Sequence, residues 1–265
     1  MPLTNTELKN LKSFRLPDKR NRVGFLAEGV RVLEESVRHR FAAKTVLVCE
    51  EQLSDRCKTL AGRLQKLGAS VQAIPSRQID ALSDAETSQG IVAVFDYRPT
   101  EIAELSGAVG RKVLVCDEIS DPGNLGTLFR SALAFGFVSV VVLGDSADPF
   151  SPKTVRASAG AIFGLRIIQT MPEEFLSWST KSQAGLIVTE AKGEPLGEIR
   201  RKHRSQQTIC LAIGSEARGV SAALRRAATA VVGIEHDPVV ESLNAAVAGS
   251  ILMKGIYDLW QVHRK

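Results

Sequence analysis

The 265-residue sequence lacks the features that mark several large protein classes. Its longest apolar stretch, around residues 138–143, is far too short to cross a bilayer, and its polar first ten residues do not resemble a signal peptide. None of its four cysteines, Cys49, Cys57, Cys116 and Cys210, belongs to a Cys-x-x-Cys pair. We therefore expect a soluble, cytoplasmic protein with buried free thiols, without a metal site or a disulfide framework.

The signatures of common nucleotide-binding sites are missing as well. Residues 214–219, Gly-Ser-Glu-Ala-Arg-Gly, have the glycine spacing of a P-loop but not the Lys-Ser/Thr that follows it, and no G-x-G-x-x-G occurs. An ordinary α/β nucleotide-binding protein is therefore disfavoured.

Positive charge is concentrated at the N-terminus. The formal net charge is +5, and residues 1–44 alone contain ten Lys/Arg against five Asp/Glu. The positive charge of such a segment would attract a polyanion such as RNA. A basic surface that only contacts water has the same composition, so charge alone does not decide between the two. The basic residues of interest are Lys19, Arg20, Arg22, Arg31, Arg38 and Arg40.

The first part of the chain alternates strand-like and helical patterns. Short apolar runs at residues 23–26, 45–48, 70–74 and 91–95 are separated by apolar residues at helical spacing. This alternation predicts a small α/β domain. The proline and glycines of residues 98–111 indicate a boundary, so we predict domains 1–105 and 106–265.

The second part repeats the alternation with more continuous apolar runs. The runs predict a parallel sheet that is covered on both faces. Residues 242–262 predict one long helix with many small residues for close packing, and the polar, basic residues 192–205 predict an exposed loop. The strand-like runs are residues 112–116, 138–143, 185–188, 207–213 and 230–234.

Three polar stretches each join a strand-like run to a helical one. They are residues 121–126 (Asp-Pro-Gly-Asn-Leu-Gly), 214–219 and 241–244 (Glu-Ser-Leu-Asn). Each alone indicates only a turn or a helix cap. Because α/β proteins bind ligands outside the carboxyl ends of their strands, the three together predict one site built from three loops.

Two charged residues extend this hypothesis. Arg130 follows Asn124 by six residues, and we expect its side chain to lie near the same end of the helix, on the buried side. A buried arginine is unusual and would indicate an anionic or hydroxyl partner. Glu216 can accept hydrogen bonds there or orient Arg130. Ser242 is the expected N-cap of the last helix.

These residues resemble the motifs of a known family. The pattern N-x-G-x-x-x-R fits Asn124, Gly126 and Arg130, and residues 214–219 fit G-x-E-x-x-G. Together with Ser-Leu-Asn at 242–244 and the segment 151–161 between the first two motifs, they resemble the SpoU (TrmH-like) branch of the SPOUT RNA methyltransferases over most of residues 112–262. Residues 27–31 and 88–93 resemble the small, ribosomal-protein-like RNA-binding domain that many members carry.

The resemblance implies a SPOUT methyltransferase domain, an α/β fold with a parallel sheet and a C-terminal trefoil knot, in a homodimer. It implies methyl transfer from S-adenosylmethionine to a ribose 2′-hydroxyl of RNA. Arg130 would stabilise the developing alkoxide, Asn124 and Ser242 would position the ribose, Asn244 would brace the loops, and Glu216 would orient the arginine or the cofactor loop. The residues implied to bind the cofactor are Gly214, Gly219, Ile234 and Leu243.

The third motif departs from the family pattern. Ala245 and Ala246 follow Asn244 where the family commonly has a second serine, and Ile234-Glu235-His236 stands in place of Ile-Pro-Met. Three functions stay open: an rRNA 2′-O-methyltransferase, which the long N-terminal domain favours, a tRNA 2′-O-methyltransferase, and a noncatalytic RNA-binding protein.

Overall fold

A computed structural model describes residues 2–14, 23–105, 111–202 and 208–261. The basic residues Lys19, Arg20 and Arg22 lie outside the described residues. Contacts divide the chain into two compact units. The N-terminal unit comprises Met1–Arg98 and Asp148–Gly164, and the C-terminal unit comprises Pro99–Ala147 and Leu165–Lys265.

Ten strands and ten helices are present in the part of the chain that the structure describes. The strands are β1 (Gly24–Glu28), β2 (Thr45–Val48), β3 (Ser70–Ala73), β4 (Ile91–Asp96), β5 (Arg111–Asp117), β6 (Ser139–Leu143), β7 (Arg166–Thr170), β8 (Gly185–Glu194), β9 (Thr208–Gly214) and β10 (Ala230–Val232). The helices are α1 (Asn5–Ser13), α2 (Val30–Arg38), α3 (Asp55–Lys66), α4 (Ser76–Leu82), α5 (Pro122–Ala134), α6 (Pro152–Ala157), α7 (Pro172–Lys181), α8 (Leu196–Lys202), α9 (Ala222–Ala227) and α10 (Ala245–Gln261).

The N-terminal unit is built on a mixed four-stranded sheet of order β1-β4-β2-β3. Strand β4 is antiparallel to both β1 and β2, whereas β2 and β3 are parallel. The predicted alternation of strands and helices is confirmed here. Hydroxyl groups cap α1 and α3: the Thr4 side chain accepts from the Glu7 N–H in a capping box, and Ser54 accepts from the N–H at the third residue of α3.

The segment Asp148–Gly164 packs into the N-terminal unit through aromatic contacts. Phe25 and Phe95 of β1 and β4 stack with ring centroids 5.2 Å apart. Phe150 lies 5.1 Å from Phe25, and Phe163 lies 4.8 Å from Phe95. Burial of these large rings holds the segment to a core that precedes it by more than fifty residues.

The C-terminal unit contains a six-stranded sheet of order β10-β8-β9-β5-β6-β7. Every pair in it is parallel. The interior strands β6 and β9 are buried almost throughout, so helices cover both faces, as their apolar runs predict. Asp117 at the end of β5 pairs with Gly214 at the end of β9, which brings the loops after these two strands side by side.

The predicted loop at residues 192–205 is wrong where the structure describes it. Strand β8 continues to Glu194, which pairs with Val232 of β10, and helix α8 follows. Polar composition was misleading because the side chains at the end of β8 are exposed although its backbone is still paired with β10. In α8, Ile199 is fully buried. Strand β7 gave no clear signal in the sequence because only its two isoleucines are apolar and buried.

Helix α10 begins three residues later than predicted, at Ala245. It packs against α5, and its small residues permit close approach, as expected. A Cβ added at Gly249 would lie only 2.5 Å from a Leu128 methyl carbon, and the hydroxyls of Ser131 and Ser250 are 2.7 Å apart. Of the described helices, none combines the length and the apolar character that crossing a membrane requires.

Candidate cofactor cavity and RNA cleft

A cavity of about 190 Å³ opens where strands β9 and β10 of the C-terminal unit end, beside the middle of β8, which lies between them in the sheet. Apolar side chains from these strand ends and from α10 form most of its wall, including Ile213, Val232 and Leu252. Parallel strands end at one edge of the sheet, which is where ligands bind in this class of fold.

The structure brings six predicted site residues to this cavity. Gly214 and Gly219 come from the loop after β9, and Ile234 from the chain after β10. Ser242 and Leu243 come from the stretch before α10, and Glu216 also lines the wall. Loops that are far apart in sequence therefore meet at one site, as the hypothesis of a three-loop site requires.

Gly214 and Gly219 are needed because backbone passes close to backbone. The two residues lie at opposite ends of a tight loop in which the Gly219 N–H donates to the Ser215 carbonyl at 2.8 Å. A Cβ on Gly214 would lie 2.1 Å from the Gly219 carbonyl carbon, and Gly219 itself has φ +66°. Only glycine satisfies both conditions without moving the loop.

Asn124, Glu216 and Asn244 form a closed set of hydrogen bonds that joins the three polar stretches. The Asn124 Nδ2 and the Asn244 Nδ2 donate to Glu216 Oε1 at 3.0 and 2.5 Å. The Asn244 Nδ2 also donates to Asn124 Oδ1 at 3.1 Å. Since Glu216 lines the cavity as well, this triangle connects the first polar stretch to the cavity wall.

Helix caps fix two members of the triangle. Asp121 is the N-cap of α5, and its Oδ1 accepts from the Asn124 N–H at 2.8 Å. The Asn244 Oδ1 accepts from the N–H groups of Ala246 and Val247 at 3.0 and 3.2 Å. Asn244 is therefore the residue that caps α10, and the expectation that Ser242 does so is wrong, because Ser242 lies three residues before the first helical residue.

Arg130 is not on the buried side of its helix, contrary to the sequence-based expectation. Its side chain is exposed, and within the described residues no hydrogen bond or ion pair reaches it. A separation of six residues rotates a side chain by about 240° and advances it about 9 Å along the axis, so Arg130 and Asn124 occupy different faces. Glu216 is hydrogen-bonded to the two asparagines, not to Arg130.

Sequence reasoning missed the contribution of β8 and of His236 to the cavity. Thr189 and Glu190 line it from β8, and the carboxylate of Glu190 pairs with Arg225 at 2.8 Å. His236 also lines it, with Nδ1 2.8 Å from the Ile234 carbonyl oxygen. The signal that could have found Glu190 was its position directly after the apolar core of a strand, next to the strand that ends at Gly214.

The four cysteines are buried and unbridged, as predicted. Burial raises the pKa of the Cys210 thiol to about 12 and raises the pKa of the Cys116 thiol further. Both residues lie on central strands of the parallel sheet, so they act as small apolar side chains. The described residues contain no group of three or more His, Cys, Asp or Glu that could hold a metal ion.

A second concavity, of about 760 Å³, lies within the N-terminal unit. Its lining includes three arginines, Arg31, Arg56 and Arg156, with the amides of Gln52 and Gln89. We call this the N-terminal cleft. Its composition is polar and mainly cationic, in contrast to the apolar cavity of the C-terminal unit.

Long-range contacts hold the walls of the N-terminal cleft. The Val30 N–H donates to Gln89 Oε1 at 2.9 Å, which links the two segments that resemble a ribosomal-protein-like domain. Arg156 pairs with Glu28 and Asp84 at 3.2 Å each, so the segment Asp148–Gly164 contributes to this cleft.

Two of the three arginines of the cleft are paired with carboxylates: Arg156, as described, and Arg56. Arg56 donates to Glu34 at 2.6 and 2.9 Å, and these hydrogen bonds hold the pKa of the Glu34 carboxyl below its ordinary value. Arg31 is exposed and has no hydrogen bond or ion pair among the described residues. Arg31 is therefore the cation of this cleft most available to a ligand.

The parallel sheet and the cavity at its edge define an α/β protein with a cavity at the place where ligands bind in this class of fold. The model of the SpoU rRNA methylase family matches residues 111–254, and that of the MRM3-like substrate binding domain matches residues 5–93. The first match covers more than half of the chain. The chain therefore belongs to the SpoU rRNA methylase family.

Curated relatives agree with this assignment. The chain is 30% identical over 253 residues to the 23S rRNA (guanosine(2553)-2′-O)-methyltransferase RlmP of Bacillus subtilis, covering 94% of this chain and 95% of that protein. It is 28% identical to the 23S rRNA (uridine(2479)-2′-O)-methyltransferase of Streptomyces viridochromogenes, covering 89% and 83%.

Solved structures show the same fold. The SpoU methyltransferase AviRb from Streptomyces viridochromogenes in complex with AdoMet superposes with a TM-score of 0.86 at 25% identity, covering 99% of this chain and all of that one. The AdoMet-bound rRNA methyltransferase from Sinorhizobium meliloti gives 0.82 at 25% identity, covering 100% and 98%.

Proposed function

We propose that this protein transfers a methyl group from S-adenosylmethionine to a ribose 2′-hydroxyl of 23S-type rRNA. The observation that carries the proposal is the triangle of Asn124, Glu216 and Asn244, which joins the family's three motifs at the wall of the cavity. Membership of the family and the names of two curated relatives support the same reaction and the same RNA.

The residues of the cavity fit S-adenosylmethionine. The apolar side chains of Ile213, Ile234 and Leu243 suit an adenine ring. The backbone N–H and C=O groups near Gly214 and Ile234 lie at the cavity wall, where they can reach a ligand. When bound, this cofactor supplies an electrophilic methyl group. The protein's own contribution is to bind it, to exclude water with these side chains and to hold the loops in register through the asparagine–glutamate triangle.

Arg130 would act on the ribose through its charge. A guanidinium loses its proton only above a pH of roughly 12, so it is a poor base at neutral pH. As a fixed donor beside the developing alkoxide it would lower the barrier by about 3 kcal/mol, which corresponds to about 100-fold in rate. Arg130 is exposed and unpaired in the described structure, so its guanidinium is available to RNA, and this role requires the RNA to reach it from Asn124 across about 9 Å of α5. Asn124 and Ser242 would position the ribose.

Residues 1–105 would bind the RNA substrate, and residues 106–265 would carry the methyl transfer. The arginine-lined N-terminal cleft, with Arg31 as its unpaired cation, and the match of residues 5–93 to a substrate binding domain support the first assignment. An unpaired RNA segment suits such a cleft because its phosphates and base edges are both accessible, and the 2′-hydroxyl restricts the substrate to RNA.

The test uses labelled S-adenosylmethionine and total RNA from a strain that lacks the gene, followed by mapping of ribose methylation. We expect label in 23S rRNA, about a 100-fold loss of rate in Arg130→Ala, and a smaller loss in Asn124→Ala. Label confined to tRNA would contradict the choice of RNA. Full activity of Arg130→Ala with none in Asn124→Ala would contradict the roles assigned to both residues.

The family assignment also supports a homodimer, a C-terminal trefoil knot and action in the cytoplasm, where bacterial rRNA is modified. Val247 and Ile251 of α10 are about half exposed and lie one helical turn apart, and Val239 is almost fully exposed. A second copy of the chain would cover such an apolar surface. Sedimentation equilibrium should therefore give twice the chain mass, and a monomer at micromolar concentration would contradict this part of the proposal.

A further inference from the structure

The cavity of the C-terminal unit is lined by carboxylates but by no permanent cation. Among its described lining residues, Glu190 and Glu216 are the acidic ones, His236 is the only other titratable group, and neither lysine nor arginine is present. Glu190 is paired with Arg225, which lies outside the lining, whereas the hydrogen-bond partners of Glu216 are neutral amides, so the wall keeps a net negative charge. A wall of net negative charge favours a cationic ligand over a neutral one of the same shape.

The two carboxylates differ in what holds them. Glu216 receives its hydrogen bonds from the neutral amides of Asn124 and Asn244 and is part of the structure that joins the loops. Glu190 lies on β8, where Arg225 pairs with its Oε1 at 2.8 Å. Arg225 is itself held by a bond to the Val220 carbonyl at 3.3 Å. Glu190 is thus kept at the wall and has a second oxygen left for a ligand.

The reaction changes the charge of the molecule that would occupy this cavity. In the proposed transfer the methyl group would move from sulfur to the ribose oxygen, the S–C bonding pair would stay on sulfur, and the hydroxyl proton would pass to solvent water. The cationic sulfonium thereby becomes a neutral thioether. A fixed carboxylate near this group would bind the methyl donor more tightly than the demethylated product.

We propose that Glu190 is a specificity-determining residue that favours the cationic methyl donor over its neutral product. This inference rests on the proposed function, because it requires the cavity to hold S-adenosylmethionine. The Glu190 side chain is 31% exposed, so screening limits its effect to about fivefold in affinity. The consequence for turnover is that loss of the methyl group weakens binding and promotes release of the product.

Calorimetry on the full chain tests this inference with three probes: S-adenosylmethionine, S-adenosylhomocysteine and sinefungin, in which a protonated amine replaces the sulfonium. In Glu190→Gln we expect the Kd to rise about fivefold for the two cationic ligands and less than twofold for S-adenosylhomocysteine. Glu190→Asp keeps the charge and should retain most of the preference. The preference should also shrink at high salt.

Glu194→Gln is the matched control, because it removes the same charge from the same strand outside the cavity lining. It should leave all three Kd values unchanged. Equal weakening of all three ligands in Glu190→Gln, or no weakening of any, would overturn the inference while leaving the proposed function intact. Failure of the unaltered protein to bind any of the three would overturn both.

Discussion

The cavity of the C-terminal unit and the cleft of the N-terminal unit are built in opposite ways. The cavity is apolar and depends on backbone that passes close to backbone at Gly214 and Gly219. The cleft is lined by long charged side chains such as Arg31 and Arg156, attached to ordinary helices. A cavity that depends on close backbone contacts should lose its ligand affinity when one side-chain carbon is added to such a glycine. A cleft lined by charged side chains should lose only part of its affinity with each side chain removed.

The largest effect should come from adding one methyl group to the cavity loop. In Gly214→Ala the Cβ would meet the Gly219 carbonyl carbon at 2.1 Å, so the loop must move. The backbone groups of this loop that would bind the cofactor would then be displaced. Binding of S-adenosylmethionine, measured by calorimetry, should weaken at least about 100-fold.

Gly197→Ala is the control for that change, because a Cβ there has nothing within 4 Å. It should bind the cofactor normally and unfold at a slightly higher temperature, since alanine favours a helix over glycine. Normal cofactor binding by Gly214→Ala would show that the loop adjusts freely, and the contrast between the two sites would then be lost.

An intermediate effect is expected at the residue that both caps a helix and joins the loops. Asn244→Ala removes the cap of α10 and two donors to its partners, Glu216 and Asn124. We expect a loss of about 1 kcal/mol in the free energy of unfolding, measured by urea denaturation, and at least a tenfold loss of methyl transfer.

Thr4→Ala provides the comparison in the N-terminal unit, where it removes the side-chain cap of α1 at a residue that does not line the N-terminal cleft. It should cost a similar free energy of unfolding and leave the methyl-transfer rate nearly unchanged at saturating RNA. If both variants lose stability and activity to the same degree, Asn244 has no role beyond capping.

The smallest effect is expected in the N-terminal cleft. Arg31→Ala removes one exposed guanidinium and should weaken RNA binding by only a few-fold, with the slope of log affinity against log salt reduced by about 1. Filter binding at several salt concentrations would measure both quantities. Arg77→Ala removes an exposed arginine of α4 that does not line the cleft, and equal effects of the two variants would mean that the cleft has no special role.

Much of the fold was predictable because the signals are local. Continuous apolar runs predicted all but one strand of the parallel sheet, and β7 was missed because two apolar residues do not form a run. Helix ends were less accurate. Ser242 and Asn244 are both good capping residues, and the choice between them depends on where the preceding chain enters, which no local pattern specifies.

The candidate site was predicted in part. The three polar stretches meet as expected, because strand order in a parallel sheet brings loop ends together. The exposed position of Arg130 and the participation of Glu190 were not expected. Both depend on which side chains face each other across separate elements, and spacing along one helix or one strand does not determine that.

The sequence alone determined the class of fold, the buried thiols and the three motif stretches, since periodicity and turn chemistry act over a few residues. Tertiary structure alone decided that Asp148–Gly164 packs with the N-terminal unit, that Asn124, Glu216 and Asn244 form one hydrogen-bonded set, and that two carboxylates face the cavity. The physical reason is that these features arise from contacts between residues up to 128 positions apart, as in the pair of Glu28 with Arg156. Such contacts form only when the unit that contains them is folded, because the chain entropy that they cost is offset by the burial of that unit's core.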